Sequence, residues 1–166
     1  MQERKSGKQD EDDFGNYIQS VCWTTFWADY NKFADACGDS VGKIGTLPPQ
    51  NKIELSKRLI NEEWNEETLP ALEKYENNPS LENFAEVADG IADTIYVLCK
   101  LARELGVPLD DVWIAVHEAN MAKIGPDGKV TRREDGKILK PEGWQKANVW
   151  QVCFDHWKTQ RDAEQT

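Results

Sequence analysis

The chain has 166 residues, a length that suits one domain with short tails. Thirty acidic against twenty basic residues give a net charge of −10, which disfavours a general binder of nucleic acids or anionic membranes because the field repels phosphate. Hydrophobic residues make up 39 %, enough for a core, and no apolar run approaches the roughly 20 residues that span a bilayer. The first residues lack the apolar stretch of a secretory signal, so we expect a cytoplasmic protein, in the host cytoplasm if the source is viral.

The N-terminal half is predicted to be helical after a polar tail. Residues 1–13 are charged and predict disorder. From 14 to about 36 an aromatic residue recurs every three or four positions, which predicts an amphipathic helix. Glycines and prolines between 38 and 49 mark a loop. A second helix follows over about 50–75, and we expect Pro70 to kink or split it.

The third predicted helix, about 81–105, is the most apolar one. Asn78 or Ser80 serves as its N-cap, and Gly106 is suited to end it as C-cap. A fourth helix is predicted over about 108–122, because a proline is favoured in the first turn of a helix.

Residues 124–147 are rich in glycine and basic side chains and predict a long loop. The dipeptides Asp127-Gly128 and Asp135-Gly136 favour turns, so the loop is expected to contain a short hairpin. A short final helix is predicted over about 148–161, and 162–166 form a tail.

The predicted fold class is all-α, with one domain over 14–161, because no strand leads into a glycine-rich phosphate loop. The four cysteines, Cys22, Cys37, Cys99 and Cys153, are widely spaced among apolar neighbours. This spacing predicts buried thiols rather than a zinc site, which needs closer pairs.

Four carboxylates crowd the second helix within the sequence NEEWNEE. An α-helical stripe traced from Leu55 in steps of three and four passes through Glu62 and Glu66, so these acids are expected to face the core. Glu63 and Glu67 lie on the adjacent stripe. Like charges four residues apart are unfavourable even in water, and uncompensated burial is far worse. The alternative is a solvated acidic face.

The third helix repeats the anomaly, with Glu86, Asp89 and Asp93 on one face. Asp93 lies inside the apolar run IADTIYVLC, where a carboxylate has to be neutral, paired or metal-bound. Gly90, in the same turn, costs about 1 kcal/mol relative to Ala but leaves room for an ion, a ligand or a close neighbour.

If the second and third helices pack antiparallel, their acidic faces meet. Carboxylates that converge from two helices form an all-oxygen site suited to Mg²⁺ or Mn²⁺. Such an ion keeps positions for water and phosphate oxygens, so the predicted substrate is a polyphosphate. The alternative is that Asp93 pairs with a lysine or arginine.

Three motifs in order now resemble a known family. They are LINEEWNEE with Glu62, Glu63 and Glu66, EVADGIADTIYVL with Asp93, and VHEANMAKIGPDGK with Asn120 and Lys123. Over about 50–147 the chain resembles the all-α nucleoside triphosphate pyrophosphohydrolases, the MazG-like and phosphoribosyl-ATP pyrophosphohydrolase-like proteins. The segment REDGKILKPEGW is similar to the tail of the dUTPase-like MazG branch and of phage members, including the MazZ type.

The resemblance implies hydrolysis between the α and β phosphates, which gives a monophosphate and pyrophosphate. It implies Mg²⁺ or Mn²⁺ as cofactor and a helical bundle completed by oligomerisation, as a homodimer or homotetramer. The metal ligands it implies are Glu63, Glu66 and Asp93. Glu62 is implied as a further ligand or as the base that orients water, and Asn120 and Lys123 as phosphate or sugar contacts.

The chain departs from the family pattern at one position. The second motif is usually ExxD, and its Glu falls on Gly90. Asp89 or Glu86 is expected to supply the missing oxygen, with Asp89 favoured because it is adjacent. The departure leaves the number of metal ions open.

The long loop concentrates positive charge in an acidic chain, at Lys129, Arg132, Arg133, Lys137 and Lys140. These residues are predicted to close over a triphosphate, with Lys137 and Lys140 as substrate contacts. The alternative is a solvated loop. Trp144 is expected to anchor the loop against a helix rather than to stack on a base.

The first helix is the predicted source of the base pocket, with Trp27 for stacking and Asn31 for amide contacts, although aromatic residues at this spacing also pack cores. The aromatic content favours a purine, dGTP or GTP first, with dUTP and dCTP as alternatives. The rival function is a non-catalytic acidic interaction module that mimics DNA, which predicts carboxylates spread over the surface. A structural di-metal bundle lacks the Glu-x-x-His pairs it requires.

Overall fold

The computed structural model describes residues 26–165, and the chain divides into two compact units, Met1–Ser40 and Val41–Thr166. In the first unit, residues 26–36 form helix α1, which agrees with the later part of the first predicted helix. The remainder of that helix lies outside the described residues, as do the predicted N-terminal tail and Cys22. The single domain over 14–161 stays a prediction.

The second unit is built from helices. In chain order they are α2 (Gln50–Asn61), a π-helical segment (Glu62–Thr68), α3 (Leu69–Asn77), α4 (Leu81–Leu105), α5 (Leu109–Met121) and α6 (Val149–Ala163). Within residues 26–165 the one β-type pairing is an isolated antiparallel bridge, so the all-α prediction is confirmed. In the same part of the chain, no helix combines the length and apolarity needed to cross a membrane.

The prediction that Pro70 kinks or splits the second helix is wrong, because the helical stretch continues through the proline and its irregular turn lies before it. The π-helical segment occupies the seven residues from Glu62 to Thr68, and the N–H of Leu69 bonds to the carbonyl of Trp64, five residues back. Pro70 lies in the first turn of α3. The helix is therefore widened before Pro70 and continues through it.

Helix α4 runs antiparallel to the α2–α3 stretch, as predicted. Side-chain contacts pair the two in opposite order, at Ser56 with Glu104, Thr68 with Thr94, Lys74 with Glu86, and Tyr75 with Phe84. This register brings the π-helical segment against the middle of α4, where Asp89 and Asp93 lie.

Both predicted caps of α4 are confirmed. The Ser80 hydroxyl accepts a hydrogen bond of 3.2 Å from the N–H of Asn83, and Gly106 ends the helix with a left-handed φ of 69°. The preceding loop packs on this end, since the N–H of Gly42 donates to the Arg103 carbonyl at 2.9 Å. The C-terminal end of α4 is thus fixed by backbone contacts.

The predicted hairpin is present in the long loop. The N–H of Arg133 donates to the Lys137 carbonyl at 2.8 Å, and Gly136 closes the turn with a φ of 84°. Helix α6 extends to Ala163, so it continues into the predicted tail at 162–166.

The cysteine prediction is confirmed in part. Cys99 is buried, and burial raises the pKa of its thiol. Cys153 is half-buried. Cys37 is exposed, so the prediction of burial is wrong there, because its position after the end of α1 faces solvent.

Candidate functional site

The π-helical segment changes which acidic residues face inward. Glu62 and Glu66 are exposed, Glu63 is half-buried, and Thr68 is only 2 % exposed. The stripe from Leu55 that directed Glu62 and Glu66 to the core is therefore wrong. A π-helix takes five residues where an α-helix takes four, so the inward position after Glu63 falls on Thr68.

Thr68 of the π-helical segment packs directly against Gly90 of α4. The Thr68 hydroxyl donates to the Glu63 carbonyl at 2.6 Å and lies 3.2 Å from the hydroxyl of Thr94. A Cβ at position 90 would meet the Thr68 hydroxyl at 2.7 Å. Of the three possible reasons for Gly90, the structure shows the close neighbour. A glutamate at position 90 meets the same obstacle from its first side-chain carbon.

Carboxylates of both elements act on Glu63. Its pKa is raised above the usual value, first by loss of solvent and then by the negative charges of Glu67, Asp93, Glu62 and Asp89, in that order. Two of these groups belong to the π-helical segment and two to α4. The repulsion therefore concentrates where the two acidic stretches face each other, inside a protein of net charge −10.

Asp93 is exposed, so the expectation that its apolar run buries it is wrong. The run lies on a flank of α4 that nothing in the described chain covers: Ile91 and Leu98 are each 47 % exposed and Ile95 is 38 % exposed. An apolar sequence predicts a surface suited to burial, and only the packing decides whether another element covers it.

The remaining acids differ in their partners. Both carboxylate oxygens of Glu86 accept hydrogen bonds from the Lys74 ammonium, at 2.8 and 2.7 Å, whereas no ion pair within residues 26–165 includes Asp89. One oxygen of Glu66 accepts from the Asn61 amide at 2.6 Å. An open cleft of about 330 Å³ lies beside these acids, lined by Glu67, Pro70, Ala71, Lys74, Glu86, Asp89 and Gly90.

The donor chemistry of this cluster fits a hard divalent cation. Carboxylate oxygens are the ligands that Mg²⁺ and Mn²⁺ prefer, and the mutual repulsion at Glu63 is the kind of strain that a cation relieves. In the part of the chain that the structure describes, no three acidic, histidine or cysteine groups lie close enough together to hold a metal ion. The cluster thus supplies suitable donors without a closed ligand set.

Trp144 anchors the long loop on α5, as predicted. Its indole N–H donates to the Ala119 carbonyl at 2.6 Å. The ammonium groups of Lys140 and Lys123 lie 4.3 and 5.5 Å from the centre of its ring, and Lys123 donates to the Asn120 side chain at 2.6 Å. Three predicted substrate contacts, Asn120, Lys123 and Lys140, therefore gather around one indole. We call these four side chains the Trp144 cluster.

The other basic residues of the loop are engaged locally. Arg133 forms an ion pair with Asp135, and Arg132 donates to the Gly136 carbonyl at 2.8 Å. The backbone N–H of Lys137 donates to Asp135 at 3.1 Å, and its side chain is exposed. No contact among the described residues joins Lys137 to the Trp144 cluster.

The predicted base-pocket residues lie in the first unit. The Asn31 amide donates to the Trp27 carbonyl at 2.9 Å within α1. The ring of Trp27 stacks with that of Tyr30 at a centroid distance of 6.0 Å. Both predicted residues thus have local contacts inside their own helix, and their role toward a base stays a prediction.

Sequence reasoning missed Thr68 and Thr94. Neither belongs to an acidic or basic pattern, and a threonine five residues after a glutamate has no meaning in an α-helix. The available signal was the glycine opposite them, since a glycine inside a long apolar helix calls for a close neighbour. Only the π-helical register shows which neighbour that is.

Part of the chain matches a known protein family. Residues 44–120 match the family model described as phosphoribosyl-ATP pyrophosphohydrolase. The matched region contains α2, the π-helical segment, α3, α4 and nearly all of α5, and it ends at Asn120, before the long loop. No curated protein matches the chain.

Proposed function

We propose that this chain is a nucleotide pyrophosphohydrolase of the MazG-like all-α type that cleaves a (deoxy)nucleoside triphosphate between its α and β phosphates, because residues 44–120 match the phosphoribosyl-ATP pyrophosphohydrolase family model. The products are the monophosphate and pyrophosphate. The observation that carries the proposal is the packing of the π-helical segment on the middle of α4, where the Thr68 hydroxyl lies 3.2 Å from the hydroxyl of Thr94, the residue next to Asp93. Asp93 and Asp89 of α4 contribute to the raised pKa of Glu63, after its loss of solvent. A divalent cation among these carboxylates would supply the positive charge that stabilises the reacting phosphates.

The proposed cofactor is Mg²⁺ or Mn²⁺, held by Glu63, Glu66 and Asp93. Asp89 completes this set better than Glu86, because the Glu86 carboxylate is already bonded to Lys74 through both oxygens. When bound, the cation offsets the charge of the phosphates and polarises the phosphoryl group. The ligand set lies on two different elements, which agrees with the raised pKa of Glu63.

The side chains of the chain itself supply the remaining chemistry. Glu62 is exposed, so its carboxylate is available to orient the attacking water and accept its proton. Attack at the α-phosphorus forms the new P–O bond while the bond to the bridging oxygen breaks and pyrophosphate leaves. Lys123 and Lys140 donate hydrogen bonds to phosphate oxygens, and Trp144 holds both ammonium groups on the α5 side.

The proposed substrate is a purine triphosphate, dGTP or GTP first, with dUTP and dCTP as the alternatives. Support comes from the aromatic content of the chain, which favours stacking on a large base. Control of the nucleotide pool in a phage-type setting is the corresponding biological role.

We further propose that the protein works as a homodimer or homotetramer. Helix α4 exposes Phe84, Ile91 and Leu98, and α5 exposes Trp113 and Ile114, all of them large apolar side chains. Large apolar side chains left exposed on these two helices favour association. A second copy of the chain is the proposed occupant, since the exposed stripe continues along the same helix that carries Asp89 and Asp93.

The exposure of Glu62, Glu66, Asp89 and Asp93 also suits the rival acidic interaction module. The family match favours the enzyme, because the matched family is described by a hydrolytic activity, phosphoribosyl-ATP pyrophosphohydrolase. Substitution of Asp93 by Asn separates the two functions: an enzyme loses turnover, whereas a module with many surface carboxylates keeps its binding.

The test is a panel of dNTPs and NTPs with Mg²⁺ or Mn²⁺, scored for pyrophosphate and orthophosphate. We expect pyrophosphate and the monophosphate in equal amounts, dependent on the cation and highest with guanine nucleotides. Asp93→Asn is expected to lower the signal by about 10²- to 10³-fold. The matched control is Glu76→Gln, which removes an exposed carboxylate on α3 outside the cleft. Release of orthophosphate alone would place cleavage at the γ-phosphate and contradict the proposal.

A further inference from the structure

We propose that Thr68 is a positioning residue, whose buried hydroxyl fixes the π-helical register that sets Glu63 opposite the Asp93 turn of α4. This inference rests on the proposed function, because it concerns the geometry of the proposed ligands. Thr68 carries no charge and touches no substrate in the proposed reaction. Its effect passes through the backbone of Glu63 and through Thr94, the residue next to Asp93.

The hydrogen bond of Thr68 is specific to the π register. In an α-helix a threonine hydroxyl bonds to the carbonyl three or four residues back, which here means Asn65 or Trp64. The Thr68 hydroxyl instead donates to the carbonyl of Glu63, five residues back, at 2.6 Å. The bond therefore favours the widened turn over the ordinary one.

The same hydroxyl also joins the two elements that carry the acids. It lies 3.2 Å from the Thr94 hydroxyl, and Thr68 is only 2 % exposed, so water does not compete for it. Gly90 admits Thr68 to this position, since a Cβ there would lie 2.7 Å from the hydroxyl and 3.1 Å from the Thr68 Cα. One buried oxygen thus contacts the turn of Glu63 and the turn of Asp93.

Loss of the register changes the direction of the acids. One residue corresponds to about 100° around an α-helix. If the widened turn reverts to an α-helical one, the residues before it rotate by about that angle relative to α3, and Glu63 turns away from α4. Short π-helical stretches are rare and are frequently found at functional sites, so a local contact that maintains one is expected to matter for function.

The experiment compares Thr68→Val with Thr68→Ser and Thr94→Val. Valine keeps the shape of threonine and removes the hydroxyl, whereas serine keeps the hydroxyl. Thr94→Val removes the partner on α4 and retains the bond to Glu63. Three quantities are measured in each full-length variant: calorimetric Mn²⁺ binding, amide hydrogen exchange over residues 62–69 without metal, and kcat and KM for the best nucleotide of the panel.

We expect Thr68→Val to bind Mn²⁺ at least about tenfold more weakly, as is usual when a residue that holds a metal ligand in position is replaced. Its amides over 62–69 exchange faster, and kcat falls more than KM changes. Thr68→Ser is expected to restore both binding and protection, and Thr94→Val to lie between the two. Thr68→Val with wild-type Mn²⁺ affinity and wild-type exchange would overturn the proposal.

A second substitution covers the case in which Thr68→Val does not fold. Gly90→Ala introduces a Cβ against the Thr68 hydroxyl in a helix that otherwise prefers alanine. We expect it to weaken Mn²⁺ binding and to speed exchange over 62–69, and wild-type values for both would overturn the proposal. Absence of Mn²⁺ binding and turnover in the wild-type chain contradicts the proposed function instead, while hydrogen exchange still reports on the register.

Discussion

Two regions of the antiparallel helix pair, the C-terminal end of α4 and its middle, differ in how they surround carboxylates. At the C-terminal end of α4, Glu104 is 6 % exposed, accepts a hydrogen bond of 2.5 Å from the Ser56 hydroxyl, and pairs with the Lys100 ammonium. At the middle of the same pair, Glu63 faces Asp93 and Asp89, and no ion pair among the described residues compensates them.

This difference separates a structural acid from a candidate functional one. A buried carboxylate that stabilises a fold needs its donor and cation built in, because an uncompensated one is costly. Acids that repel one another at a cleft lower stability and persist where a ligand supplies the missing charge. Glu104 has both a hydrogen-bond donor and a cation, as a structural carboxylate requires. In the described part of the chain, the acids at the π-helical segment lack a compensating cation, which makes them candidates for a functional role.

The largest expected effect is a loss of turnover when one of the uncompensated carboxylates at the middle of the helix pair is replaced. Asp93→Asn and Glu63→Gln each remove a proposed ligand charge without changing side-chain shape. We expect kcat/KM to fall by about 10²- to 10³-fold, comparable to loss of one essential electrostatic group in other active sites. Pyrophosphate release is the measurement, with Glu76→Gln as control. A loss of less than tenfold in both variants would show that these acids are not the ligands.

Substitutions around Glu104, at the C-terminal end of α4, are expected to lower the free energy of unfolding rather than turnover. Lys100→Met leaves the buried Glu104 carboxylate without its cation, which costs about 3 kcal/mol of unfolding free energy. Ser56→Ala removes one hydrogen bond to the same carboxylate and costs about 1.5 kcal/mol. Urea denaturation measures both, and turnover per folded molecule should be unchanged. Wild-type stability together with lost turnover in these variants would show that Glu104 serves the reaction rather than the fold.

A smaller effect is expected at the Trp144 cluster. Trp144→Leu removes the ring that holds Lys123 and Lys140 and the hydrogen bond to Ala119, so KM should rise about fivefold, which corresponds to about 1 kcal/mol. Trp144→Phe keeps a ring and loses only the hydrogen bond, so its KM should rise less. Equal KM in all three proteins would show that the loop is a solvated element without a substrate role.

The smallest expected effect is a shift in melting temperature with pH. Loss of solvent and acidic neighbours raise the pKa of Glu63 above 4.5, so the folded chain binds this proton more readily than the unfolded chain. The resulting destabilisation is absent below the unfolded pKa and complete above the raised folded pKa. Metal-free Glu63→Gln should therefore melt about 1–2 °C higher than wild type at pH 7, and this difference should shrink toward pH 4.

Calorimetry at the two pH values measures this shift, and addition of Mn²⁺ provides the control. Mn²⁺ should raise the melting temperature of the wild type more than that of Glu63→Gln, since only a cation that binds the folded state stabilises it. If Glu63→Gln melts lower than wild type at pH 7, the acids do not repel one another as described.

Local signals predicted much of the fold. Glycine positions, the capping serine and the Asp-Gly turns each act within a few residues, so both caps of α4 and the hairpin followed from sequence. The acidic motifs were also visible, because charges in an apolar pattern are conspicuous. The indole of Trp144 was expected on a helix and lies there.

The inward direction of the acids was beyond sequence reasoning for two physical reasons. The stripe is traced from Leu55, which is 38 % exposed, whereas the buried position of α2 is Ser56, and the π turn then shifts the next inward position to Thr68. The burial expected of Asp93 assumed that an apolar run is covered, whereas its flank of α4 is open in the single chain. Both errors concern where a side chain points, which depends on the register and packing of the whole pair.

Calorimetric titration of Mn²⁺ into metal-free protein, with and without a non-hydrolysable triphosphate analogue, tests the central claim most directly. The claim is that acids of the π-helical segment and of α4 hold one divalent site. It predicts saturable binding by wild type and Glu76→Gln, and loss of that binding in both Glu63→Gln and Asp93→Asn. Wild-type affinity in Asp93→Asn, or no binding by the wild-type protein under either condition, would contradict it.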